Sequence, residues 1–367
     1  MKVALVHDYL NQRGGAERVF AHIARAFPGA PVYTALFDPA VTGDLIAPAR
    51  VRTSKLQRLP FASRAFRYLA PFYPAIFEGF DLSSYDLILS STTSWAKGVC
   101  FRPDAVHVCY INTVSRFAFA YDRYVGELGA GRLARPLVAP LVAWDRRAAE
   151  RPTAYVANSA NVAARVERYY GRHARVLHCP VDLDRFSVGG GDGGYFVAIA
   201  RLLPYKRDDL TIDACALAGV PLKIVGTGPA ERALRARASG TRTEFLGALS
   251  DADVNDVLGG ASAAIVAAEE DYGLVPLEAN ACGRPAIAYG AGGALETIVP
   301  GATGEFFAEQ TAASLAAALR AFDPKRYDPA ALRAHAASFA PERFIERLQA
   351  TVLEAVRLGP GVRDFAQ

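Results

Sequence analysis

Residues 263–279 read Ala-Ala-Ile-Val-Ala-Ala-Glu-Glu-Asp-Tyr-Gly-Leu-Val-Pro-Leu-Glu-Ala, and this stretch predicts the fold of the chain. Its first four residues form a short apolar run that is typical of a strand buried on both faces. Gly273 then predicts a turn, and a helix is expected to begin near Leu274. In parallel α/β sheets, ligands bind outside the carboxyl ends of the strands, where the N–H groups of a helix N-terminus hold anions. The stretch therefore predicts a strand, a binding loop and a helix of a parallel α/β sheet.

Short apolar runs of the same kind recur through both halves of the chain, with helical spacing of apolar residues between them. We predict strands at 3–6, 85–89, 105–111, 154–157 and 176–179, and then at 195–200, 222–225, 244–246, 263–266 and 286–289. Such strands favour parallel sheets covered by helices on both faces. The predicted fold class is therefore α/β, with two Rossmann-like domains facing each other across a cleft.

Five glycines within residues 189–194 predict a linker between these domains, because so many glycines disfavour a regular element. We expect an N-terminal domain at 1–187, a linker at 188–194, a C-terminal domain at 195–340, and a final helix with its tail at 341–367. Pro341 is a favourable first residue for that helix, which carries one apolar face. Its periodicity does not indicate the domain on which it packs.

Composition excludes several classes of function. The chain has 367 residues, of which 51% are hydrophobic and 21% charged, and its formal net charge is +4. So small a charge argues against a nucleic-acid partner. Five cysteines without a Cys-x-x-Cys pair favour a reducing compartment. We expect no secretion signal and no transmembrane segment, since the apolar run at residues 3–6 is short and no run reaches 18 residues. A cytoplasmic location follows as the expectation.

The two glutamates of the opening stretch are candidate ligand-binding residues. Glu270 lies on the predicted loop and Glu278 one turn into the predicted helix, so both carboxylates can face one ligand. Carboxylates accept hydrogen bonds from hydroxyl groups, so the pair suits a ribose and a hexose. The alternative is an acidic loop followed by a helix whose glutamate faces solvent.

The motif Glu-Asp-Tyr-Gly-Leu-Val-Pro-Leu-Glu-Ala at 270–279, in which seven residues separate Glu270 from Glu278, resembles the signature of the family 4 retaining glycosyltransferases. Two further segments continue the resemblance, Cys-Gly-Arg-Pro-Ala-Ile-Ala-Tyr-Gly at 282–290 and Gly-Gly-Ala-Leu-Glu-Thr at 292–297. The resemblance implies the GT-B fold, with the nucleotide-sugar donor on the C-terminal domain. It also implies that neither a metal nor a cofactor takes part.

The same resemblance implies roles for individual residues of the C-terminal domain. Glu278 would hold the donor ribose, and Glu270 would contact the donor sugar. The backbone amides of one segment would contact the sugar and the phosphate, namely those of Tyr272, Gly273, Leu274 and Val275. Arg201 and Lys206 match the basic pair that neutralises the departing diphosphate, and a diphosphate does gain negative charge as it leaves. The alternative for this pair is surface charge at a helix end.

In the N-terminal domain, Gly14 and Gly15 match the family's glycine loop and would contact the donor through the backbone. The alternative is an ordinary turn. Alignment on Thr113 and Arg116-Phe117 places Asn112 where the family usually has a histidine. Asn112 cannot take up a proton near neutral pH, so the resemblance leaves it an orienting role in a reaction whose base is the leaving phosphate.

Two Asp-x-Asp triplets, at 182–184 and 251–253, are interpreted as structural, and no metal site is predicted. The second triplet opens a predicted helix, where aspartate is favoured as a capping residue.

The residue sequence of the family 4 motifs resembles that of bacterial mannosyltransferases of cell-surface polysaccharide assembly. This implies GDP-mannose as donor and a lipid-linked or oligosaccharide acceptor. Two alternatives stay open: a sugar-nucleotide 2-epimerase of the same fold, and a relative that binds nucleotide sugars but has lost turnover because of Asn112.

Residues 55–73 interleave basic side chains with aromatic residues and leucines. This pattern suits contact with a membrane surface, which would place the protein at the inner face of the membrane. The alternative is a helix whose apolar residues are core and whose arginines extend to solvent.

Overall fold

The structure is a computed structural model that describes residues 1–119, 135–361 and 363–365. These residues form two compact units, Met1–Cys179 with Glu342–Gln367, and Pro180–Pro341. Each unit is built on a parallel sheet. The two sheets confirm the predicted α/β class.

The first unit contains seven strands among the described residues, in the spatial order β3-β2-β1-β4-β5-β6-β7. Their bounds are β1 Val3–His7, β2 Val32–Thr34, β3 Val51–Thr53, β4 Leu87–Thr92, β5 Val106–Ile111, β6 Ala154–Ala157 and β7 Ala174–Val176. The helices are α1 Gly15–Ala26, α2 Pro39–Thr42, α3 Ala62–Ala65, α4 Tyr73–Glu78, α5 Arg116–Phe119, α6 Arg135–Ala148 and α7 Ala160–Tyr170. Strands β4 and β5 are buried along their whole length, as expected for central strands covered by helices.

The second unit contains six strands among the described residues, in the order β10-β9-β8-β11-β12-β13. The strands are β8 Phe196–Ile199, β9 Leu222–Val225, β10 Thr243–Gly247, β11 Ala263–Val266, β12 Ala286–Tyr289 and β13 Gly304–Phe307. The helices are α8 Asp208–Ala218, α9 Glu231–Arg237, α10 Asp251–Gly259, α11 Leu274–Ala281, α12 Ala294–Thr297, α13 Ala312–Ala321 and α14 Pro329–Ala337. Chain order reverses between β8 and β11, the kind of switch point at which open α/β sheets bind ligands.

The glycine-rich segment is held by hydrogen bonds within the second unit. The Gly189 N–H donates to the Cys282 carbonyl at 3.1 Å, and the Gly193 N–H donates to the Gly260 carbonyl at 2.7 Å. The segment 188–194, which we expected to separate the domains, thus belongs to the second unit, and the division between the units falls between Cys179 and Pro180.

The last helix, α15 Pro341–Leu358, packs on the first unit. Phe344 and Leu348 of its apolar face are buried, and the Phe344 ring meets the Tyr110 ring edge-on at 5.7 Å. The Gln349 Nε2 donates to the Ala26 carbonyl at 2.8 Å. The chain therefore ends on the unit in which it began.

Candidate active site

The quoted stretch folds as predicted into strand β11, a loop and helix α11. Gly273 ends the loop with a φ of 103°, a left-handed conformation that side chains disfavour. Helix α11 begins at Leu274, and no side chain among the described residues caps its N-terminus. The first turn of a helix has N–H groups without intrahelical partners and a positive dipole end. The segment Tyr272–Val275 thus suits a bound anion.

A second loop, at 290–293, supports the loop of Glu270. The Gly293 N–H donates to the Glu270 carbonyl at 2.9 Å, and the two segments form a parallel bridge between Glu270 and Gly292. A Cβ added at Gly293 would lie 2.3 Å from the Tyr272 Cα, and one at Gly292 would lie 2.4 Å from the Glu270 carbonyl oxygen. The glycine pair is therefore required for the loops to approach this closely.

Lys206 and Glu270 form an ion pair, with 2.7 Å between the Lys206 Nζ and the Glu270 Oε1. Both side chains are largely buried, at 20% and 17% exposure. Arg201 is exposed just beyond the carboxyl end of β8, which is hydrogen-bonded to β11 as its parallel neighbour. The sheet thus places Arg201, Lys206 and Glu270 at the carboxyl edge of two adjacent strands. Two cations near a helix N-terminus suit a diphosphate.

Asp208, the first residue of α8, was missed by the sequence analysis. It is buried, and its Oδ2 has no hydrogen-bond partner among the described residues. Burial raises the pKa of its carboxyl to about 7, while the charge of Lys206 opposes that increase. A carboxyl with such a pKa, next to a candidate site residue, is a functional candidate. The sequence did not indicate this residue, because aspartate is common at the first position of a helix and does not by itself suggest a functional site.

Glu278 lies in α11 as predicted, and Arg185 is its cationic neighbour. The Arg185 Nη1 lies 3.7 Å from the Glu278 Oε1, and the Arg185 Nη2 lies 3.0 Å from the Asp251 Oδ1. Arg333 holds the Arg185 segment in place, since it donates to the carbonyls of Leu183 and Phe186. Sequence reasoning missed Arg185, because its partners lie 66 and 93 positions away.

The two Asp-x-Asp triplets have local roles in the structure. The Ser250 hydroxyl caps α10 by accepting from the Asp253 N–H at 3.2 Å, and Asp251 pairs with Arg185. Asp182 precedes a short 3-10 helix, Leu183–Arg185. Over the described residues, no group of three histidine, cysteine or acidic side chains is placed to hold a metal ion.

In the first unit, Gly14 and Gly15 stand at the start of α1. The Gly14 N–H donates to the Glu17 Oε2 at 2.9 Å, and the Gln12 Nε2 donates to the Glu17 Oε1 at 3.1 Å. Glu17 is buried, and its Oε1 lies 3.9 Å from the Nε2 of His7. The Glu17 carboxylate therefore stabilises the turn that contains Gly14 and Gly15.

Asn112 follows β5 and is 7% exposed. Its Nδ2 donates to the Ser91 hydroxyl at 3.1 Å and to the Thr92 carbonyl at 3.2 Å. The Asn158 Nδ2 donates in turn to the Asn112 carbonyl at 3.0 Å. Asn112 thus connects the carboxyl ends of β4, β5 and β6. His107, near the start of β5, is fully buried, and burial lowers its pKa to about 3.

Asp8 is a second buried carboxylate that sequence reasoning missed. It accepts hydrogen bonds of 2.7–3.0 Å from four backbone N–H groups and two hydroxyls, all within Thr92–Ala96. Next to this loop, Lys97 and Asp145 form a buried ion pair at 2.5 Å. Removal of either partner would leave a buried charge uncompensated. These residues hold the carboxyl end of β4 in place.

Comparison with known proteins gives the class to which this fold and site belong. The family described as "Glycosyltransferase Family 4" matches residues 13–185, and "Glycosyl transferases group 1" matches residues 183–336. The structure is similar to that of HepE from Anabaena in complex with UDP and glucose, with a TM-score of 0.69 and 20% identity over 96% of this chain and 100% of that one. It is also similar to sucrose-phosphate synthase from Thermosynechococcus elongatus, with a TM-score of 0.71 and 18% identity over 98% of this chain and 100% of that one. The fold is GT-B.

Curated relatives agree with this class. The D-inositol 3-phosphate glycosyltransferase of Geodermatophilus obscurus is 32% identical over 54% of this chain and 52% of its own length. A GDP-mannose-dependent mannosyltransferase of Corynebacterium glutamicum, specific by name for a monoacylated phosphatidylinositol monomannoside, is 34% identical over 38% of this chain and 45% of its own. The chain thus spans about half the length of the curated relatives it matches. Together, the two family matches and the fold establish that the chain belongs to the family 4 glycosyltransferases.

Proposed function

We propose that this protein is a retaining glycosyltransferase that moves a hexose from a nucleotide sugar to an acceptor. The observation that carries the proposal is the Lys206–Glu270 pair, at 2.7 Å, beside the N-terminus of α11. A helix N-terminus with adjacent cations binds phosphate groups, and a carboxylate in the same site accepts hydrogen bonds from a sugar.

Each site residue has one task in this proposal. Arg201 and Lys206 neutralise the diphosphate as it leaves, when its negative charge is greatest. Glu270 orients the donor sugar, and Glu278 accepts from the ribose hydroxyls. The N–H groups of Tyr272–Val275 contact the phosphate and the sugar. The acceptor hydroxyl gives its proton to the leaving phosphate, so Asn112 orients groups and transfers no proton.

GDP-mannose is the proposed donor, and a lipid-linked saccharide or an oligosaccharide of a surface polysaccharide is the proposed acceptor. Two relatives whose names include GDP-mannose-dependent mannosyltransferase support this choice, the second being the Mycolicibacterium smegmatis protein at 33% identity over 41% of this chain. We propose no metal and no cofactor. The proposed location is the cytoplasm, at the inner face of the membrane.

The test is release of nucleoside diphosphate from GDP-mannose, UDP-glucose and ADP-glucose, with and without EDTA, in the presence of candidate acceptors. We expect release of GDP from GDP-mannose, unchanged by EDTA, and a product whose NMR coupling shows the donor's anomeric configuration. Binding of a donor without any turnover would instead indicate a binding relative. Conversion of the donor sugar to its 2-epimer would indicate an epimerase.

A further inference from the structure

The segment 45–77 has an unusual charge. It contains no acidic residue and six basic ones, Arg50, Arg52, Lys55, Arg58, Arg64 and Arg67. Five of the six are exposed. Arg52 donates to the carbonyls of Ala49 and Val51, and the other four, Lys55, Arg58, Arg64 and Arg67, form no ion pair with a carboxylate of the described residues. Other surface cations of the described residues do have acidic partners, such as Arg235 with Glu231 and Arg237 with Asp213. The segment is therefore a local basic surface on a nearly neutral protein.

Large apolar side chains stand among these cations. Leu59 is 49% exposed, Phe61 73%, Tyr68 86% and Phe72 58%. In the part of the chain that the structure describes, the last three are the aromatic residues with exposed side chains. We call the four apolar and the four basic residues the basic aromatic surface. Exposed aromatics gathered in one place mark an interaction site more reliably than scattered ones do.

Buried side chains and hydrogen bonds of the first unit hold the basic aromatic surface in place. Phe66 and Tyr73 are buried, and the Tyr73 hydroxyl donates to the Phe66 carbonyl at 2.6 Å. The Asn11 Nδ2 donates to the Ser63 carbonyl at 2.8 Å. The Gln57 side chain exchanges two hydrogen bonds with the backbone of Phe37, at 2.9 and 3.0 Å. Phe66 and Tyr73 are thus core residues, as in the alternative of the sequence analysis, whereas the apolar residues of the basic aromatic surface are exposed.

Phe61 has a φ of 62°, in the left-handed region that a bulky residue rarely adopts. Its side chain is exposed, so core packing does not compensate for the strain. Strain of this kind persists where function selects the residue. The strained backbone of Phe61 therefore indicates that this surface serves an interaction and not the stability of the fold.

We propose that the basic aromatic surface docks the protein on a membrane that contains anionic lipids. The four cations attract the negatively charged headgroups, and the aromatic rings with Leu59 enter the headgroup boundary. The charge is of one sign over the whole segment, which suits an extended anionic surface. In the described residues, no helix is long and apolar enough to cross a membrane, and the contact proposed here needs none.

The test is co-sedimentation of the full chain with vesicles of phosphatidylcholine alone, or of phosphatidylcholine with phosphatidylglycerol. We expect binding to the anionic vesicles, little binding to the neutral ones, and weaker binding as salt is raised. One variant combines Phe61→Ser, Tyr68→Ser and Phe72→Ser, and another combines Lys55→Gln, Arg58→Gln, Arg64→Gln and Arg67→Gln. Each should bind about tenfold more weakly or worse. Leu217→Ser, at a 56% exposed leucine of α8, is the matched control and should bind as the wild type does.

Absence of binding to anionic vesicles, or binding that both variants retain, would overturn the proposal. Sedimentation velocity without lipid tests whether a second copy of this chain covers the surface instead. If the wild type is a dimer, the aromatic variant is a monomer and no vesicle binding is seen, the surface is a contact between two copies of this chain. Thermal unfolding of each variant checks that the fold is kept. The assay needs neither donor nor turnover, so its failure is independent of the proposed function.

Discussion

The Lys206 Nζ lies 2.7 Å from the Glu270 Oε1, although 64 positions separate the two residues in the chain. Lys206 follows strand β8 and Glu270 follows β11, and these strands are parallel neighbours. Their carboxyl ends therefore lie side by side, and the residues that follow them meet. The Glu270 carboxylate is therefore a direct counter-charge for the Lys206 ammonium group in a largely buried position.

The first prediction concerns this ion pair. Lys206→Gln should lower kcat by about 10²–10³, because one charged group that stabilises the departing diphosphate is removed. The affinity for the donor should fall less than kcat, because the leaving group carries more charge in the transition state than in the ground state. Steady-state kinetics and calorimetry measure the two quantities. Lys325→Gln, at an exposed lysine of the same unit, is the control. Equal losses in affinity and rate would limit Lys206 to binding.

The second prediction concerns the contact between the two loops of the site. Gly293→Ala should weaken donor binding and lower the free energy of unfolding by about 1–3 kcal/mol, because its Cβ would lie 2.3 Å from the Tyr272 Cα. Gly290→Ala is a control in the same loop, since its Cβ would meet nothing closer than 3.5 Å. Chemical denaturation and donor titration measure both effects. Identical behaviour of the two variants would show that the loops do not need this close approach.

Strands with continuous apolar runs could be predicted from the sequence, whereas the edge strands β3 and β13 could not. The apolar runs at 154–157 and 263–266 identified β6 and β11, because strands covered on both faces are continuously apolar. By contrast, β3 (Val51–Thr53) and β13 (Gly304–Phe307) lie at sheet edges, are three or four residues long, and contain Arg52 or Glu305. Their formation depends on pairing with neighbouring strands, which periodicity does not report.

The third prediction concerns Asn112. Asn112→Ala should lower the free energy of unfolding by about 1–3 kcal/mol, because the Ser91 hydroxyl and the Thr92 carbonyl lose a buried donor. The rate should fall modestly, and the pH–rate profile should show no new ionisation, since Asn has no titrating group.

Asn112→His tests the same residue in the opposite direction. It would restore the residue that the family resemblance implies, and it should raise turnover if the pocket accommodates the ring. Loss of all turnover in Asn112→Ala, with fold and donor binding intact, would contradict the modest role. Turnover in Asn112→His and none in the wild type would indicate a binding relative.

The fourth prediction is a pH dependence caused by Asp208. Burial raises the pKa of this carboxyl from 3.8 to about 7 in the folded protein. The folded state thus binds the proton more tightly than the unfolded state, so this contribution to stability is complete below about pH 4 and is lost as the pH rises to about 7. At about 1.4 kcal/mol per pKa unit, the loss amounts to about 4 kcal/mol.

Asp208→Asn removes the titrating group and keeps its shape. The difference in unfolding free energy between this variant and the wild type should move in favour of the variant as the pH rises from 4 to 8. Urea denaturation at a series of pH values measures that difference, with Asp256→Asn, on helix α10, as the control. A difference that does not change with pH would contradict the raised pKa.

The part of the candidate site that lies on one short segment could be predicted from the sequence. Glu270, Gly273 and Glu278 lie within nine residues, so their order along a strand, a turn and a helix already gives their arrangement. Arg185 and Asp8 could not be found in this way. Arg185 acts on Glu278, 93 positions later, and Asp8 binds a loop 84 to 88 positions later. Such partners become visible only when the sheet brings distant strand ends together.

The central claim is that the second unit binds a nucleotide sugar through Glu278, and calorimetric titration of GDP-mannose and of GDP tests it most directly. We predict binding of both ligands by the wild type. Glu278→Gln should bind them more weakly by about 1.5–3 kcal/mol, because the ribose hydroxyls lose a charged acceptor. Glu309→Gln, at an exposed glutamate of the same unit, should bind them as the wild type does. Equal affinity of all three proteins, or no binding of either ligand by the wild type, would contradict the account.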